Sequence, residues 1–233
     1  MSIQHFEHLR DRFVTIVTLG DSITEQNHWT LGGLCWAGML PMGLNNVFPK
    51  GKCVINSGIS GDSAEFGLLR LERDVFRFNP DIVVVSYGMN DCFKVHPKVF
   101  RRQLGEMVDR IRRHNQPIIV LRTPNPMIDM MTGEETNLLM RGSEAIKTDL
   151  AAFAEIIAEI AAERNILLAD HYSQWKRSMR SSCRQDMVRL MGNQQHPNHL
   201  GHRRLYHELA PLFGAETYFY HEWQRILVDT EAY

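Results

Sequence analysis

Cysteine is sparse in this 233-residue chain and unpaired in its spacing: Cys35, Cys53, Cys92 and Cys183 form no C-x-x-C pair. That argues against a disulfide framework and a zinc ribbon, and fits reduced thiols in a cytoplasmic protein. Long apolar runs are absent, so no membrane-spanning helix is expected. The opening "MSIQHFEHLRDRF" is polar and mixed in charge, without the apolar centre of a signal peptide. Excess charge is missing too: the formal net charge is -1, which gives no global attraction to nucleic acid or anionic lipid. There is no repeat, low-complexity tract or linker. One domain over residues 1–233 is therefore expected, with 215–233 as an aromatic C-terminal extension.

What is present is an alternation of periods. "VTIVTL" (14–19), "CVIN" (53–56), "DIVVVSY" (81–87), "PIIVLR" (117–122) and "ILLAD" (166–170) read as short buried strands. Between them the period lengthens. Phe100, Leu104, Met107, Val108 and Ile111 share a helical face in 98–115. Ile146, Leu150, Phe153, Ile157 and Ile160 do so in 143–165, with Ser143 as the expected N-cap. Near-continuous apolar strands alternating with helices predict a single-domain α/β three-layer sandwich, a five-stranded parallel sheet with helices on both faces. A Met-rich connection, 123–142, follows the fourth strand and is a candidate lining for an acyl pocket.

In an open parallel sheet, ligands bind beyond the carboxyl ends of the strands. Those ends carry "GDSITE" (20–25), "NSGISGD" (56–62), "GMNDC" (88–92) and "TPNP" (123–126), and the last loop carries "HPNH" (196–199). The histidines at 196, 199 and 202 suggest a metal site at first sight. Yet Pro197 suits the first turn of a helix, which leaves His196 in the preceding loop and puts His199 and His202, as partly exposed residues, on the helix. No HExxH or cysteine accompanies them, so no metal is expected.

These blocks, in this order, resemble the SGNH or GDSL hydrolases, whose fold is flavodoxin-like, and the resemblance spans residues 20 to about 202. It implies that Ser22 is the nucleophile, His196 the base, and Gly58 and Asn90 the oxyanion donors beside the Ser22 N–H. The residue types suit those roles. A serine hydroxyl needs a base to remove its proton. Gly58 offers an unobstructed N–H, and Asn90 a side-chain amide, for an oxyanion. Asp21, Trp29 and Asn125 are candidate substrate contacts, with Trp29 or Trp36 as the wall of a shallow acyl pocket.

One position departs from the family. Three residues before the histidine, where an aspartate is usual, stands Asn193. It can orient the ring but brings no charge. Two classes of function follow. One is an esterase working through Ser22 and His196, as a dyad or an unusual triad with Asn193, on a small or carbohydrate-linked acyl ester. Lysophospholipase or thioesterase activity on longer chains is its variant. The other is a degenerate, non-catalytic binding protein. Either needs no metal or organic cofactor. The expected partners are a small-molecule ester and, through the aromatic tail, a second copy of the chain as a possible homo-oligomer; neither nucleic acid nor membrane is expected.

Overall fold

Five apolar runs become one parallel sheet in this computed structural model, which describes residues 5–141, 143–181 and 184–215. In chain order the elements are β1 (Val14–Gly20), α1 (Trp36–Gly43), β2 (Lys52–Gly58), α2 (Ala64–Leu69), α3 (Leu71–Asp74) and β3 (Ile82–Ser86). Next come α4 (Asp91–Lys94), α5 (Pro97–Asn115), β4 (Ile118–Arg122), the pair β5 (Leu138–Arg141) and β6 (Glu144–Lys147), and α6 (Leu150–Glu163). β7 (Leu167–Ala169), α7 (His171–Ser181), α8 (Arg184–Val188) and α9 (His199–Leu209) complete the described chain. The sheet order is β2-β1-β3-β4-β7, with every neighbouring pair parallel.

Alternate residues of the central strands feed two cores, which is why those strands are apolar throughout. Val14 and Ile16 of β1 and Ile82 and Val84 of β3 meet Trp36 and Leu40 of α1, Trp175 of α7, and Leu205 and Leu209 of α9. Val17, Leu19, Val83 and Val85 point the other way, against Leu68, Leu71, Phe100, Leu104, Met107, Phe153 and Ile157. α5 has clear boundaries. Pro97 opens it behind a His96 cap, Arg112, Arg113 and His114 complement the carbonyl end, and left-handed Gln116 closes it.

The expected helix over 143–165 begins later. Residues Glu144–Lys147 pair antiparallel with Leu138–Arg141, and Asp149, in place of Ser143, caps α6 through Ala152 N–H. Ile146 has helical spacing, but its strand partner prevails. The Met-rich connection thus ends in the first strand of a hairpin: Met127 is buried in the core, while Met131 and Met140 are exposed. The aromatic stripe expected beyond residue 215 lies outside the described residues.

Candidate active site

β1 ends at Gly20, which sits between Gly58 of β2 and Ser86 of β3. A Cβ there would lie 2.3 Å from Thr24 Oγ1 and 2.7 Å from the Ser86 carbonyl oxygen, so the chain can turn here only with glycine. Residues 21–25 then fold onto Asp21. The Ile23 N–H donates to its carboxylate at 2.9 Å, and the Thr24 and Glu25 N–H groups donate to its carbonyl at 3.0 Å. Ser22 N–H takes no part in those bonds. No helix starts at Ser22; the next regular element is the single turn His28–Thr30, and α1 follows at Trp36.

Ser22 Oγ lies 2.9 Å from His196 Nε2, although the two residues are 174 apart in sequence. His196 Nδ1 lies 3.1 Å from Asn193 Oδ1. That Asn193 atom also accepts the N–H groups of Gln195 (2.9 Å) and His196 (2.8 Å), which identifies it as oxygen. An oxygen acceptor puts the ring proton on Nδ1 and leaves the Nε2 lone pair facing the Ser22 hydroxyl. Burial, helped by the nearby His28 charge, lowers the His196 pKa to about 4. At neutral pH the ring is a free base.

The loop carrying His196 is held from both sides. Met191 and Pro197 form a β-bridge across it, and Gly192 N–H donates to the His196 carbonyl at 2.8 Å. Pro197 therefore belongs to this bridge and not to the helix, which starts at His199 behind the Asn198 cap. The connection after β4 supplies further ties. Asn125 donates to the Gln195 carbonyl (3.1 Å), Ile128 N–H to the Gln194 carbonyl (2.9 Å), and Met140 N–H to the Gln194 side chain (3.0 Å).

The oxyanion candidates arrive at the same sheet edge but differ in readiness. Asn90 opens α4 and gives one amide hydrogen to the Asp62 carbonyl at 3.0 Å, keeping the second. Gly58 N–H already donates to the Asn56 side chain at 2.9 Å. A side chain at Gly58 would collide with the turn that carries Ser22, 2.3 Å from Glu25 N.

Behind these loops lies an ion network that the sequence did not advertise. Arg70, nearly buried, binds Asp62 through Nε (2.8 Å) and Asp74 through Nη1 (2.8 Å). It also donates to the carbonyls of Ser57 (2.8 Å) and Gly20 (3.0 Å) and to the Tyr87 hydroxyl (2.9 Å). Asp91, fully buried, accepts Ala64 N–H (2.8 Å) and Gly88 N–H (2.9 Å). Asn27 donates to the Ser22 carbonyl at 2.7 Å. Asp62 and Asp91 lie inside the recognised blocks, a usable signal. Arg70, in "LLRLERD", reads as an ordinary helix charge.

The expected substrate contacts divide. Trp29 is half-buried and its ring stacks on His196, with centroids 4.8 Å apart and planes 5° apart. Asp21 is buried, anchors the turn, and has its pKa raised to about 7 by desolvation. Asn125 is buried and fastens the histidine loop. Both act on protein groups in place of the expected substrate, because the strand ends are covered by long-range neighbours. Trp36 is fully buried beneath Arg122, so it lines no open pocket. His199 is half-buried, but His202 is buried and its Nδ1 faces Trp36 N–H at 3.4 Å, correcting its expected exposure. Among the described residues no group of three or more metal-ligating side chains comes together, and no helix is long and apolar enough to cross a membrane.

A parallel α/β sheet that gathers serine, glycine and asparagine from three strand-end loops, and histidine from the loop between α8 and α9, defines an SGNH-type hydrolase. The chain belongs to the GDSL-like Lipase/Acylhydrolase family, which matches residues 18–204. It is 25% identical to an acetylxylan esterase of Geobacillus stearothermophilus over 222 residues, 90% of this chain and 95% of that one. It is 29% identical to an arylesterase of Vibrio mimicus over 112 residues, 48% of this chain and 55% of that protein, so it spans about half the arylesterase. A crystal structure of the Geobacillus acetylxylan esterase shares the fold, with a TM-score of 0.69 at 23% identity, covering 87% of this chain and 95% of that one. These relationships make the protein a carboxylic ester hydrolase.

Proposed function

We propose that the protein hydrolyses short-chain acyl esters, acetate above all, on small or carbohydrate-linked alcohols, through an acyl-enzyme on Ser22. The observation that carries this reading is the 2.9 Å approach of Ser22 Oγ to a neutral His196 Nε2. His196 takes the hydroxyl proton as Oγ bonds to the acyl carbon. The carbonyl electrons move onto oxygen, which rests on the Ser22 N–H and the free amide hydrogen of Asn90. Gly58 adds its N–H once the Asn56 side chain yields it. Collapse breaks the bond to the alcohol, which leaves with the proton from Nε2. Water then repeats the sequence and frees the acid.

Preference for short chains is argued from the Trp29 indole, which stands half-buried against the His196 ring. The carbohydrate leaving group follows the acetylxylan esterase that the chain resembles over most of its length. The free thiols of Cys35, Cys53 and Cys92 suit the cytoplasm.

Covalent labelling by a fluorophosphonate tests the nucleophile: wild type labels and Ser22→Ala does not. Acetyl p-nitrophenyl ester is expected to turn over faster than octanoyl; the reverse order points to a lysophospholipase or thioesterase. Asn193, uncharged where the triad acid belongs, favours one second reading, a binding protein without turnover. Absence of labelling in folded wild type supports that one.

A further inference from the structure

When His196 takes the Ser22 proton it becomes a cation, and Asn193 Oδ1 offers that cation a hydrogen bond without charge. The titratable groups acting electrostatically with the ring are His28 and His202, neither of which supplies a negative charge. The other polar contacts of the ring are the Ser22 hydroxyl and Asn193. In a serine protease, exchanging the triad aspartate for asparagine costs about four decades of turnover. Most of that cost is the wrong tautomer, which Asn193 Oδ1 avoids here, so what the imidazolium still lacks is a counter-charge.

The face of the ring is covered by Trp29. The two rings are parallel within 5°, with centroids 4.8 Å apart. That places a charged imidazole over the negative face of the indole, inside the range of roughly 6 Å in which a cation and an aromatic ring attract. Indole is the strongest such partner among side chains. Its placement is built in. The Trp29 backbone N–H donates to Asn27 Oδ1 at 3.1 Å, while Asn27 Nδ2 donates to the Ser22 carbonyl at 2.7 Å. One asparagine therefore ties the backbone that carries the indole to the Ser22 turn. The His196 loop packs against the indole: a Cβ at Gly192 would sit in ordinary contact with Trp29 Cε3, 3.4 Å away.

We propose that Trp29 is a positioning residue that stabilises the His196 imidazolium during acyl transfer through its π face, in partial replacement of the missing carboxylate. This rests on the serine-esterase reading above.

The test is a double-mutant cycle. Trp29→Leu lowers kcat about 3- to 30-fold with KM little changed, the range a cation–π contact supplies, and Trp29→Phe recovers part of the loss. In an Asn193→Asp background the same Trp29→Leu loss shrinks to roughly threefold or less, because a carboxylate already offsets the charge. Uniform 5-fluorotryptophan, which withdraws electrons from the indole face, lowers kcat about twofold. In Trp29→Phe the same label leaves kcat unmoved, which excludes effects from Trp36, Trp175 and Trp223. Urea unfolding confirms that each variant is folded. A raised KM with unchanged kcat, an equal loss in both backgrounds, or indifference to fluorination overturns the proposal. Fluorophosphonate labelling separates the two levels: if wild type labels at Ser22, only the Trp29 inference falls; if it does not, both fall.

Discussion

Replacing Asn193 by aspartate puts a charge where the structure has only a dipole. The geometry favours the change. Asn193 Oδ1 already accepts two backbone N–H groups and faces His196 Nδ1 at 3.1 Å, so a carboxylate oxygen fits without moving the loop. An ion pair about 4 Å apart at an effective dielectric near 20 is worth about 4 kcal/mol. The loop is half-buried, and the new carboxylate loses some hydration. Keeping between a third and a half of that attraction gives a gain in kcat of about 10- to 30-fold. It falls short of four decades because the tautomer is already correct. The charge acts mainly after proton transfer, so kcat moves more than KM. The pH profile supplies a second reading. His196 must be neutral to act, and with its pKa held at about 4 the acid limb of kcat/KM in wild type lies near there. A carboxylate favours the protonated ring, so the limb in Asn193→Asp moves up by about one unit or more. The assay is release of p-nitrophenol from the acetyl ester between about pH 4 and pH 8. A folded variant with unchanged or lower kcat and an unmoved acid limb refutes the reasoning, and the orienting group is then a backbone carbonyl of the loop.

Three further outcomes are expected. Arg70→Ala strands Asp62 and frees the Gly20 and Ser57 carbonyls; breaking such a buried pair costs about 3–5 kcal/mol, read by urea unfolding. Gly58→Ala drives a Cβ into Glu25 N and Thr24 C, which costs about 1–3 kcal/mol and lowers kcat by displacing the Ser22 turn, while fluorophosphonate labelling slows in parallel. Stability against pH combines opposed groups. His171 and His196, lowered by burial to about 4, and His202, lowered to about 3, contribute stability above 6.5 that is lost as pH falls toward those values. Asp21, raised to about 7 from 3.8, contributes stability below about pH 4 that is lost as pH rises through 7. Four lowered histidines, with His207 also lowered by burial, oppose two raised carboxyls, Asp21 and the buried Asp91, so the urea midpoint falls on acidification from about pH 6.5, and Asp21→Asn steepens that fall.

The strands were legible because a parallel sheet covered on both faces leaves almost no polar residue in its centre, and 14–19, 53–56, 81–87, 117–122 and 166–170 each locate an observed strand to within a few residues. Residues 144–147 were misread because Ile146 falls on the same spacing as Leu150 and Phe153, and nothing local reveals the partner strand Leu138–Arg141. The site shows the same division. The motifs at the strand ends anticipated the meeting of Ser22 with His196. They could not say that Asn56 occupies the Gly58 N–H, or that Asp21 and Asn125 are buried, since exposure of a polar residue at a strand end is decided by distant segments. Arg70 was invisible for the same reason: its partners Gly20, Ser57, Asp62, Asp74 and Tyr87 come from four stretches of chain.

The His196 loop hangs from a segment that lies outside the five-stranded sheet. Gln194 and Gln195, immediately before His196, take hydrogen bonds from Asn125, Ile128 and Met140, and the hairpin that includes Met140 is paired only with itself. Changes at its exposed positions Leu138 and Met140 touch no pairing of the five-stranded sheet while acting on the segment that anchors the His196 loop. An exchange of this segment between relatives would act on the His196 loop through those ties, while Met127, Ile128 and Leu139 must stay apolar because they are buried in the core.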